Sequence, residues 1–530
     1  MKNITQTKLI ITMSLFFMLF YNYAFFKNVT QVYTLNLVNI GFLISLAIIL
    51  VSFTTLLFTL LSSRWTTKPL LILVTLISSM TAYFMNTYNV VIDDSMIRNM
   101  MQTDIHESMD LMSFKQVAYF IFLGLLPAYI IYKIPIHYRN IKKELLSKIV
   151  TILITLAIIA LALFTFSKYY TSFFREHKPL RYSVNPIYWM YSTGKYINKT
   201  FNTGKIIIKP IGLDAKIEDN LTRKKLVIMV VGEAARADHF SLNGYNKETN
   251  PQLEQENIIN FSHMSSCGTS TAASVPCMFS MYDKNDYSYK KGIRTQNVLD
   301  VLNHTKKVSI LWRDNNSDSK GVALRVPYED YKTSKRNTIC IEGECRDIGM
   351  LVGLDDFIQK NKDKNILIVL HQMGNHGPAY YKRYTKAFEK FTPTCKTNQL
   401  ENCTQEEIAN AYDNAILYTD NFLTQTIQYL KKYDSTYNTL MLYIADHGES
   451  LGENGLYLHG MPYFMAPEAQ THVGALMWVG DKTSQNMHLS HLKNNKNKSY
   501  SQDNLFHTLL GIFDVKTKVY QPKMDILYDQ

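Results

Sequence analysis

Cysteine is absent from the first 266 residues of this chain of 530, and all six cysteines lie in the second half. They form three pairs of near neighbours: Cys267 and Cys277, Cys340 and Cys345, and Cys395 and Cys403. No pair has the C-x-x-C spacing usual in zinc–thiolate sites, so we favour disulfides. An even number of cysteines confined to one region is typical of an exported domain. We predict one disulfide within each pair because these pairings close the shortest loops, although six cysteines also allow others.

Three further absences exclude other classes of protein. No A-x-A-like cleavage site follows the first apolar segment, so this segment is not predicted to be a removable signal peptide. The chain contains no internal repeat and no low-complexity tract. The net charge is +12, but residues 1–170 contain 13 Lys and Arg against 6 Asp and Glu, so more than half of the excess lies there. The weakly basic remainder gives no reason to expect a nucleic-acid partner.

The long apolar segments lie before residue 170 and predict five transmembrane helices. Each segment is close to the roughly 20 residues that a helix needs to cross the hydrocarbon core of a bilayer. The predicted spans cover residues 9–26, 38–61, 69–86, 117–133 and 149–167. We therefore expect a protein that is embedded in a membrane.

The charges of the loops predict the orientation of these spans. With the N-terminus inside, nine of the 13 basic residues before position 170 lie on the inner side, as the positive-inside rule expects. The loop between the third and fourth spans is then outside, and it is acidic. An odd number of spans places everything after residue 167 outside as well, which agrees with the cysteine pattern.

Residues 169–215 differ in composition from the regions on either side. Aromatic and basic residues are mixed in this stretch, as in the segment from Arg181 to Tyr191. Such mixtures suit a membrane interface, where aromatic rings and cationic tips both find partners. We predict a transmembrane domain over residues 1–168, a bridging interfacial helix and linker over 169–215, and an exported catalytic domain over 216–530.

Strands alternate with helical patterns after residue 216. Continuous apolar runs begin at Lys225, Val308, Asn365, Thr439 and Val473. Such runs separated by helices are typical of a parallel α/β sheet, in which sites form at the carboxyl ends of the strands.

Polar side chains follow several of these runs, and we expect them to meet at one edge of the sheet. The residues after the strand ends are Glu233, Asn316, Ser317, Lys320, His371, His376, Asp446 and His447, and His459 lies in a loop shortly after them. His371 is equally well explained as a structural residue. We interpret Tyr412, Asp413 and Asp420 as packing and surface residues.

The loop between Cys267 and Cys277 is rich in hydroxyl groups and leads into an apolar segment. A threonine at such a junction is a candidate nucleophile, because the free N–H groups of a helix N-terminus favour negative charge. On residue types alone, a helix start capped by Ser or Thr explains the loop equally well.

The remaining candidates suggest metal-assisted chemistry. Glu233, Asp446 and His447 supply two carboxylates and an imidazole, and a Thr271 alkoxide would complete a four-coordinate zinc site. The metal would lower the pKa of the Thr271 hydroxyl and shield its charge from an anionic substrate. A second metal site, or proton transfer to a leaving group, is predicted from His376 and His459.

Six motifs taken together resemble one known family over nearly the whole chain. They are Val231-Gly-Glu233, the loop from Cys267 to Cys277, the segment from Trp312 to Lys320, His376-Gly-Pro, Asp446-His447-Gly-Glu449 and Leu458-His459. In these motifs the chain resembles the lipid A phosphoethanolamine transferases, the family that includes the transferable colistin-resistance enzymes.

This resemblance implies a fold and a set of site residues. The fold is an N-terminal five-helix transmembrane bundle followed by a C-terminal α/β periplasmic domain with an alkaline-phosphatase- or sulfatase-like sheet. The implied cofactor is zinc, one ion tightly bound and a second at His376 and His459. Thr271 matches the nucleophile that becomes modified with phosphoethanolamine, and Glu233, Asp446 and His447 match the zinc ligands. Substrate-contacting positions are matched by Thr269, Asn316, Ser317 and Lys320.

Three residues before the fourth span match positions that bind the donor headgroup in the family: Asn99, Thr103 and Glu107. They are spaced four residues apart, so on one helix they would share a face. That face would offer a carboxylate to an ethanolammonium group on the outer side of the membrane.

The implied reaction transfers phosphoethanolamine from phosphatidylethanolamine to a phosphate of lipid A and confers polymyxin resistance. The alternative is a phosphoethanolamine or phosphoglycerol transferase that acts on another envelope glycan. Sulfatases share the fold, but their C-x-P-x-R pattern is absent around Thr271. An inactive envelope-binding protein would need a broken ligand position, and all are filled. We expect a monomer in the bacterial inner membrane, with the catalytic domain in the periplasm and with the donor and acceptor lipids as its partners.

Overall fold

The protein is described from a computed structural model that covers residues 4–103, 105–201, 206–218, 223–484 and 489–528. The side chains of residues 105–107 and 489–491 are outside this description. Two compact units divide the chain: Met1–Ile97 with Met112–Ile197, and Arg98–Leu111 with Asn198–Gln530. The predicted bridge over 169–215 is therefore split near residue 197, and the loop 98–111 belongs with the second unit rather than with the membrane domain.

The first unit contains the apolar helices. Among the described residues, four helices are long and apolar enough to cross a membrane: Ile40–Leu61, Thr67–Tyr88, Phe114–Lys133 and Ile141–Thr165. A fifth candidate is the helix pair Gln6–Tyr21 and Tyr23–Val32, which is bent by 62°. The predicted number of five spans agrees with the structure when this bent pair counts as one.

The first predicted span, residues 9–26, is not one continuous helix, because the helix is interrupted at Asn22. The buried Asn22 amide Nδ2 donates to the carbonyl oxygens of Phe17 at 2.9 Å and Asn185 at 2.6 Å. Its Oδ1 accepts from the Asn185 N–H at 3.0 Å. A buried amide must satisfy both its donor and its acceptor, and here the partners lie partly outside the helix.

The segment after the helix Ile141–Thr165 is mostly helical. Its elements are Ser167–Arg175, a 3-10 turn at Lys178–Ser183 and Ile187–Phe201. Tyr170 and Phe173 are buried against Phe42, and the Tyr170 hydroxyl lies 2.8 Å from Ser45 Oγ. Tyr170 and Phe173 are thus packed inside the helical unit rather than at a membrane interface.

The second unit is built on a seven-stranded sheet. Its strands in chain order are β1 Lys225–Gly232, β2 Ile258–Asn260, β3 Val308–Asp314, β4 Tyr328–Asp330, β5 Asn365–His371, β6 Asn438–Ala445 and β7 Ala475–Val479. The order across the sheet is β2-β7-β6-β1-β5-β3-β4. Strands β5 and β6 are buried along their whole length, which is why their sequences are continuously apolar.

The expectation of a fully parallel sheet is wrong at one side. Strand β7 runs antiparallel to both β6 and β2, whereas β3, β4, β5, β1 and β6 are parallel. An antiparallel strand presents its carboxyl end at the opposite edge, so β7 supplies no predicted site residue. The site residues follow the central parallel strands.

Helices and small hairpins surround this sheet. The helices are Asp94–Gln102, Ile105–Asp110, Thr271–Met278, Tyr289–Gly292, Val298–His304, Leu354–Lys360, Gln405–Lys431, Glu468–Thr471, Asp481–Ser484, Leu489–Asn495 and Leu505–Ile512. Short strands pair in three further small sheets, formed by His263–Ser265 with His472–Val473 and Ser499–Ser501, Ser450–Leu451 with Tyr457–Leu458, and Cys340–Ile341 with Glu344–Cys345.

Three disulfides join the same cysteine pairs that the sequence predicts: Cys267–Cys277, Cys340–Cys345 and Cys395–Cys403. Each bond closes a loop of at most ten residues in sequence separation. The first encloses the start of the helix Thr271–Met278, and the second closes a two-stranded hairpin.

The helix Gln405–Lys431 begins at a capping box between Thr404 and Glu407, and residues 410–420 are buried on all sides of the helix. Asp413 and Asp420 on this helix are completely buried, so their interpretation as surface residues is wrong. Asp420 accepts hydrogen bonds from the N–H groups of Gln252 and Leu253, both at 3.0 Å. A buried carboxylate is stable only with such partners, which cannot be read from helical spacing.

The partners of Asp413 predict a large effect on stability. Its carboxylate accepts from His239 Nδ1 at 2.6 Å, Lys247 Nζ at 2.7 Å and the Tyr245 hydroxyl at 3.0 Å. We expect Asp413→Ala to lower the free energy of unfolding by about 3–5 kcal/mol, because it removes the buried acceptor that His239, Tyr245 and Lys247 share.

Denaturant unfolding of the purified full chain checks this expectation. Glu256→Ala serves as the control, since Glu256 forms an ion pair with the half-exposed Lys431 at 2.7 Å. Exposed pairs contribute roughly 0–1 kcal/mol. Equal losses in the two variants would contradict the role given to Asp413.

Candidate metal and nucleophile site

Four side chains meet at the carboxyl ends of β1 and β6. Glu233 follows β1, Asp446 and His447 follow β6, and Thr271 is the first residue of the helix Thr271–Met278. The two strands are adjacent and parallel, with Gly232 paired to Ala445. The register therefore places Glu233 beside Asp446, and all four side chains are buried.

The distances within this cluster suit a tetrahedral metal site. The Thr271 hydroxyl donates to Glu233 Oε2 at 3.0 Å and lies 3.4 Å from His447 Nε2. His447 Nε2 lies 3.3 Å from Glu233 Oε1 and 3.4 Å from Asp446 Oδ2. Ligands about 2.1 Å from a tetrahedral ion are themselves about 3.4 Å apart, so the four donors have the spacing of a zinc-sized ligand set.

Two carboxylate atoms in the cluster support the same conclusion. Glu233 Oε1 and Asp446 Oδ2 are buried, and among the described residues neither accepts a hydrogen bond. Burial raises the pKa of Asp446 to about 6, and the charge of Glu233 contributes to this rise. A cation between these two carboxylate oxygens, which have no hydrogen-bond donors of their own, would offset the repulsion of the adjacent charges. The donor set fits a divalent metal ion.

Backbone contacts orient His447 and Asp446. His447 Nδ1 lies 2.9 Å from the Gly448 carbonyl oxygen, and with the proton on Nδ1 the Nε2 lone pair faces the other three ligands. Asp446 Oδ1 accepts from the N–H groups of Ala234 at 3.1 Å and His447 at 2.7 Å, which leaves Oδ2 for a metal. Such contacts fix the direction of metal ligands.

Tyr412 holds the loop that carries Glu233, a role that the sequence did not suggest. Its hydroxyl donates to the Ala234 carbonyl at 2.6 Å and accepts from the Arg236 N–H at 2.9 Å. Ala234 has a φ of 51°, in the left-handed region that residues with a Cβ rarely adopt. The tyrosine thus stabilises a strained turn next to the ligand. No motif surrounds Tyr412, so only the structure reveals it.

Thr271 lies at the start of its helix, as predicted. Ser270 precedes it in an extended conformation, and its carbonyl accepts from the N–H groups of Ala273 at 2.9 Å and Ser274 at 2.8 Å. The helix N-terminus adds positive potential near the Thr271 oxygen. This position favours the ionised form of a hydroxyl that the metal would also stabilise.

The predicted second pair of histidines adjoins this cluster. The rings of His376 and His459 lie 5.7 Å apart, and those of His447 and His459 lie 4.3 Å apart, centre to centre. His459 Nδ1 lies 3.3 Å from the buried carboxylate of Glu449. Glu449 belongs to the Asp446-His447-Gly-Glu449 motif, so the sequence could have identified it as a site residue. Its contact with His459 could not be predicted from the spacing of the two residues.

The predicted substrate residues lie on two loops around the cluster. Asn316 Nδ2 donates to Glu233 Oε2 at 2.8 Å, and Asn316 Oδ1 accepts from Ser317. Lys320 Nζ donates to Ser317 Oγ at 2.6 Å. On the other side, the Thr269 hydroxyl donates to the Met461 carbonyl at 2.6 Å. These contacts connect Asn316, Ser317 and Lys320 in one chain that begins at Glu233.

His371 lies within β5 rather than in the site. Its Nδ1 lies 2.9 Å from the carboxylate of Asp314, and both side chains are completely buried. Burial would lower the pKa of His371, but the charge of Asp314 outweighs this effect and raises it. The alternative of a structural residue agrees with this position.

The prediction that Asn99, Thr103 and Glu107 share one helix face is wrong. The first helix ends at Gln102, and the Thr103 hydroxyl donates to the Asn99 carbonyl at 2.7 Å. A side chain that bonds to the preceding turn competes with the helical hydrogen bonds at that point. Glu107 belongs to the separate helix Ile105–Asp110, and its side chain lies outside the described part of the chain.

A second group of potential ligands is excluded by its chemistry. Cys267, Cys277 and Asp503 have ligand atoms close together, but both sulfur atoms form a disulfide. A disulfide sulfur is not a thiolate and cannot act as one towards a metal. Asp503 is therefore a matched negative control for Asp446.

Comparison with known proteins gives consistent matches to both units. Residues 50–201 match the family described as phosphoethanolamine transferase EptA/EptB, and residues 225–515 match the sulfatase family. Phosphatidylethanolamine transferase Mcr-1 of Escherichia coli is 43% identical over 526 residues, which cover 97% of this chain and 96% of Mcr-1. Phosphoethanolamine transferase EptA of Escherichia coli K12 is 38% identical, covering 96% of this chain and 93% of EptA.

The same comparison extends to a solved structure. The integral membrane protein lipooligosaccharide phosphoethanolamine transferase A (EptA) from Neisseria meningitidis superposes with a TM-score of 0.95 at 34% identity. The superposition covers 99% of both chains. The likeness therefore includes the apolar helices as well as the sheet unit.

The geometry of the cluster predicts which carboxylate is needed for metal binding. We expect Asp446→Asn to lower the affinity for a divalent metal at least a hundredfold, since it removes one of two anionic ligands. Asp503→Asn should retain the metal because its neighbouring sulfurs are oxidised. Elemental analysis after dialysis against a weak chelator measures both variants, and equal metal contents would refute the assignment.

Proposed function

The chain belongs to the phosphoethanolamine transferase family, and on this basis we propose that it transfers phosphoethanolamine from phosphatidylethanolamine to a phosphate of lipid A. Its relatives are named as phosphatidylethanolamine or phosphoethanolamine transferases, and the likeness extends over nearly their whole length. It is an integral membrane protein, and its sulfatase-like C-terminal domain is periplasmic.

One observation carries the proposal. The Thr271 oxygen lies at a helix N-terminus, 3.0 Å from Glu233 Oε2 and 3.4 Å from His447 Nε2. A hydroxyl surrounded by metal ligands is an activated nucleophile, not merely a helix cap. Thr271 is also nearly inaccessible to water, at 5% exposure, which favours transfer to a second substrate over hydrolysis.

We assign the metal as zinc, held by Glu233, Thr271, Asp446 and His447. The combination of carboxylate, imidazole and oxygen ligands in a four-coordinate arrangement supports this choice. When bound, zinc would lower the pKa of the Thr271 hydroxyl and offset negative charge at the site. His376 and His459 are assigned to a second zinc ion or to proton transfer.

The residues of this chain suggest a reaction in two steps. In the first, Thr271 Oγ1 bonds to the donor phosphorus, the bond to the glycerol oxygen breaks, and diacylglycerol leaves with a proton. In the second, an oxygen of a lipid A phosphate bonds to the same phosphorus, and the bond to Oγ1 breaks. Thr269, Asn316, Ser317 and Lys320 are assigned to contact the substrate, and Lys320 to neutralise its phosphate. Asn99, Thr103 and Glu107 are assigned to the donor headgroup.

The covalent step makes a direct prediction. Peptide mass spectrometry of protein incubated with phosphatidylethanolamine should detect phosphoethanolamine on Thr271. Thr271→Ala should reduce transfer at least a thousandfold, because it removes the hydroxyl that lies between Glu233 and His447. Thr271→Ser keeps a hydroxyl and is the matched control. Full transfer by Thr271→Ala would refute the mechanism.

The proposed product predicts a change in the surface charge of the cell. Adding an ethanolammonium group to a lipid A phosphate offsets negative charge, and attraction of a basic group to an anionic surface contributes about 1 kcal/mol. Expression in a susceptible Gram-negative host should therefore raise the inhibitory concentration of polymyxin about tenfold, and Thr271→Ala should not. Mass spectrometry of lipid A accompanies the assay. Resistance without modified lipid A would favour another envelope glycan as acceptor.

A further inference from the structure

The segment Arg98–Leu111 lies in the sequence between the third and fourth apolar spans but belongs to the same compact unit as Asn198–Gln530. Near its start, the Arg98 guanidinium lies over the Tyr289 ring at 4.3 Å. The Gln102 carbonyl accepts from Lys320 Nζ at 3.1 Å. The segment thus contacts the loop that carries proposed substrate residues.

The end of the segment is held by a cluster of four charged side chains. Asp110 Oδ1 accepts from Lys382 Nζ at 2.5 Å, and Asp110 Oδ2 accepts from Arg383 Nη2. Arg383 Nη1 donates to Glu344 Oε2 at 2.9 Å, and Lys382 Nζ lies 3.9 Å from Glu344 Oε1. Two carboxylates and two cations balance each other.

Asp110 and Arg383 are too deeply buried to form an ordinary surface ion pair. The side chains of Asp110 and Arg383 are 10% and 3% exposed. Burial would raise the pKa of Asp110, but the charges of Arg383 and Lys382 outweigh this effect and lower it. Separating the pair leaves the buried Arg383 with one carboxylate partner, Glu344, instead of two, which is unfavourable for a buried charge. The contact therefore favours the docked segment.

Arg383 also contacts the backbone of a proposed active-site residue. Its Nε donates to the His376 carbonyl at 2.8 Å. The guanidinium is planar and rigid, so Nε and Nη2 cannot be oriented independently. The position of Asp110 and the position of the His376 backbone are thus linked through one side chain.

The Cys340–Cys345 hairpin supports the cluster from the opposite side. Glu344 precedes Cys345 in this disulfide-closed hairpin. Arg346, which follows it, donates from Nη1 to the Lys382 carbonyl at 2.6 Å. The hairpin therefore places a carboxylate beside Arg383, and Arg346 directly after it donates a hydrogen bond to the backbone of Lys382. The disulfide closes the hairpin that carries Glu344.

We propose that Asp110 is a positioning residue, which docks the segment 98–111 on the periplasmic unit through Lys382 and Arg383 and thereby sets the position of His376. Docking also presents Asn99 and Thr103, on the same segment, to the lipid donor. This inference rests on the proposed function only for its effect on transfer, since docking itself can be measured without any substrate.

Hydrogen exchange of the purified full chain tests docking. Asp110→Asn should speed exchange of the amides in residues 98–111 at least tenfold, and Asp110→Glu, which keeps a carboxylate, should restore most of the protection. Glu218→Gln is the control, because it removes a carboxylate from an exposed pair with Lys516. Unchanged exchange in Asp110→Asn would overturn the proposal, whatever the chain does to lipids.

Transfer from phosphatidylethanolamine to lipid A tests the link to His376. Asp110→Asn should lower kcat/KM for the donor at least tenfold while the metal content stays at the wild-type level. Arg383→Gln should lower it as well, and the double variant should lose little more than the worse single variant, since both act through one contact. Fully additive losses would overturn the link.

One more variant and one control separate the effect on docking from the effect on His376. Lys382→Gln removes a contact to Asp110 but not the hydrogen bond to the His376 carbonyl, so it should speed exchange while reducing transfer less than Arg383→Gln does. An equal loss of transfer in both variants would overturn the relay through Arg383. If wild-type protein transfers nothing, the proposed function fails, and the exchange experiment still decides whether Asp110 docks the segment.

Discussion

The site depends on the placement of two carboxylates side by side in a buried environment. Strands β1 and β6 are adjacent and parallel, so Glu233 and Asp446 leave the sheet at neighbouring points. Their ligand atoms lie within 4.8 Å of each other, where two unit charges repel by about 3 kcal/mol or more at an effective dielectric constant of about 20. A cation between them would offset this repulsion. The Thr271 oxygen lies close enough to bind the same cation. The sheet register therefore places two buried carboxylates where they favour the binding of a metal ion.

The surrounding elements hold these groups in place with contacts to the backbone. Tyr412 fixes the turn after β1, Gly448 orients His447, and the disulfide Cys267–Cys277 closes the loop before the Thr271 helix. The same helix carries both Tyr412 and the buried Asp413, whose carboxylate accepts hydrogen bonds from a histidine, a tyrosine and a lysine. Rigid support of this kind is what a preorganised site requires, because small displacements of a nucleophile cost large factors in rate.

Sequence patterns predicted the parts of this protein that depend on local chemistry. The apolar lengths, the continuous strands, the pairing of close cysteines and the polar residues after strand ends all follow from nearby residues. The prediction was wrong where a distant partner decides the outcome: Asn22 bends the first helix by bonding to Asn185, and β7 runs antiparallel. Asp413 and Asp420 look like exposed charges on a helix, and only their partners on other elements show that they are buried.

The sequence by itself determined that the chain has apolar helices followed by an oxidised α/β domain, and that a hydroxyl, two carboxylates and several histidines stand at strand ends. These features follow from residue type and spacing, which act over short distances along the chain. Only the tertiary structure decided which of these groups touch. It also revealed Tyr412 and Arg383, which belong to no sequence motif. Their hydrogen bonds go to backbone atoms that are distant in sequence, so no pattern of neighbouring residues predicts them. The physical reason is that sheet register and buried electrostatics are properties of the folded chain, set by pairings across hundreds of residues.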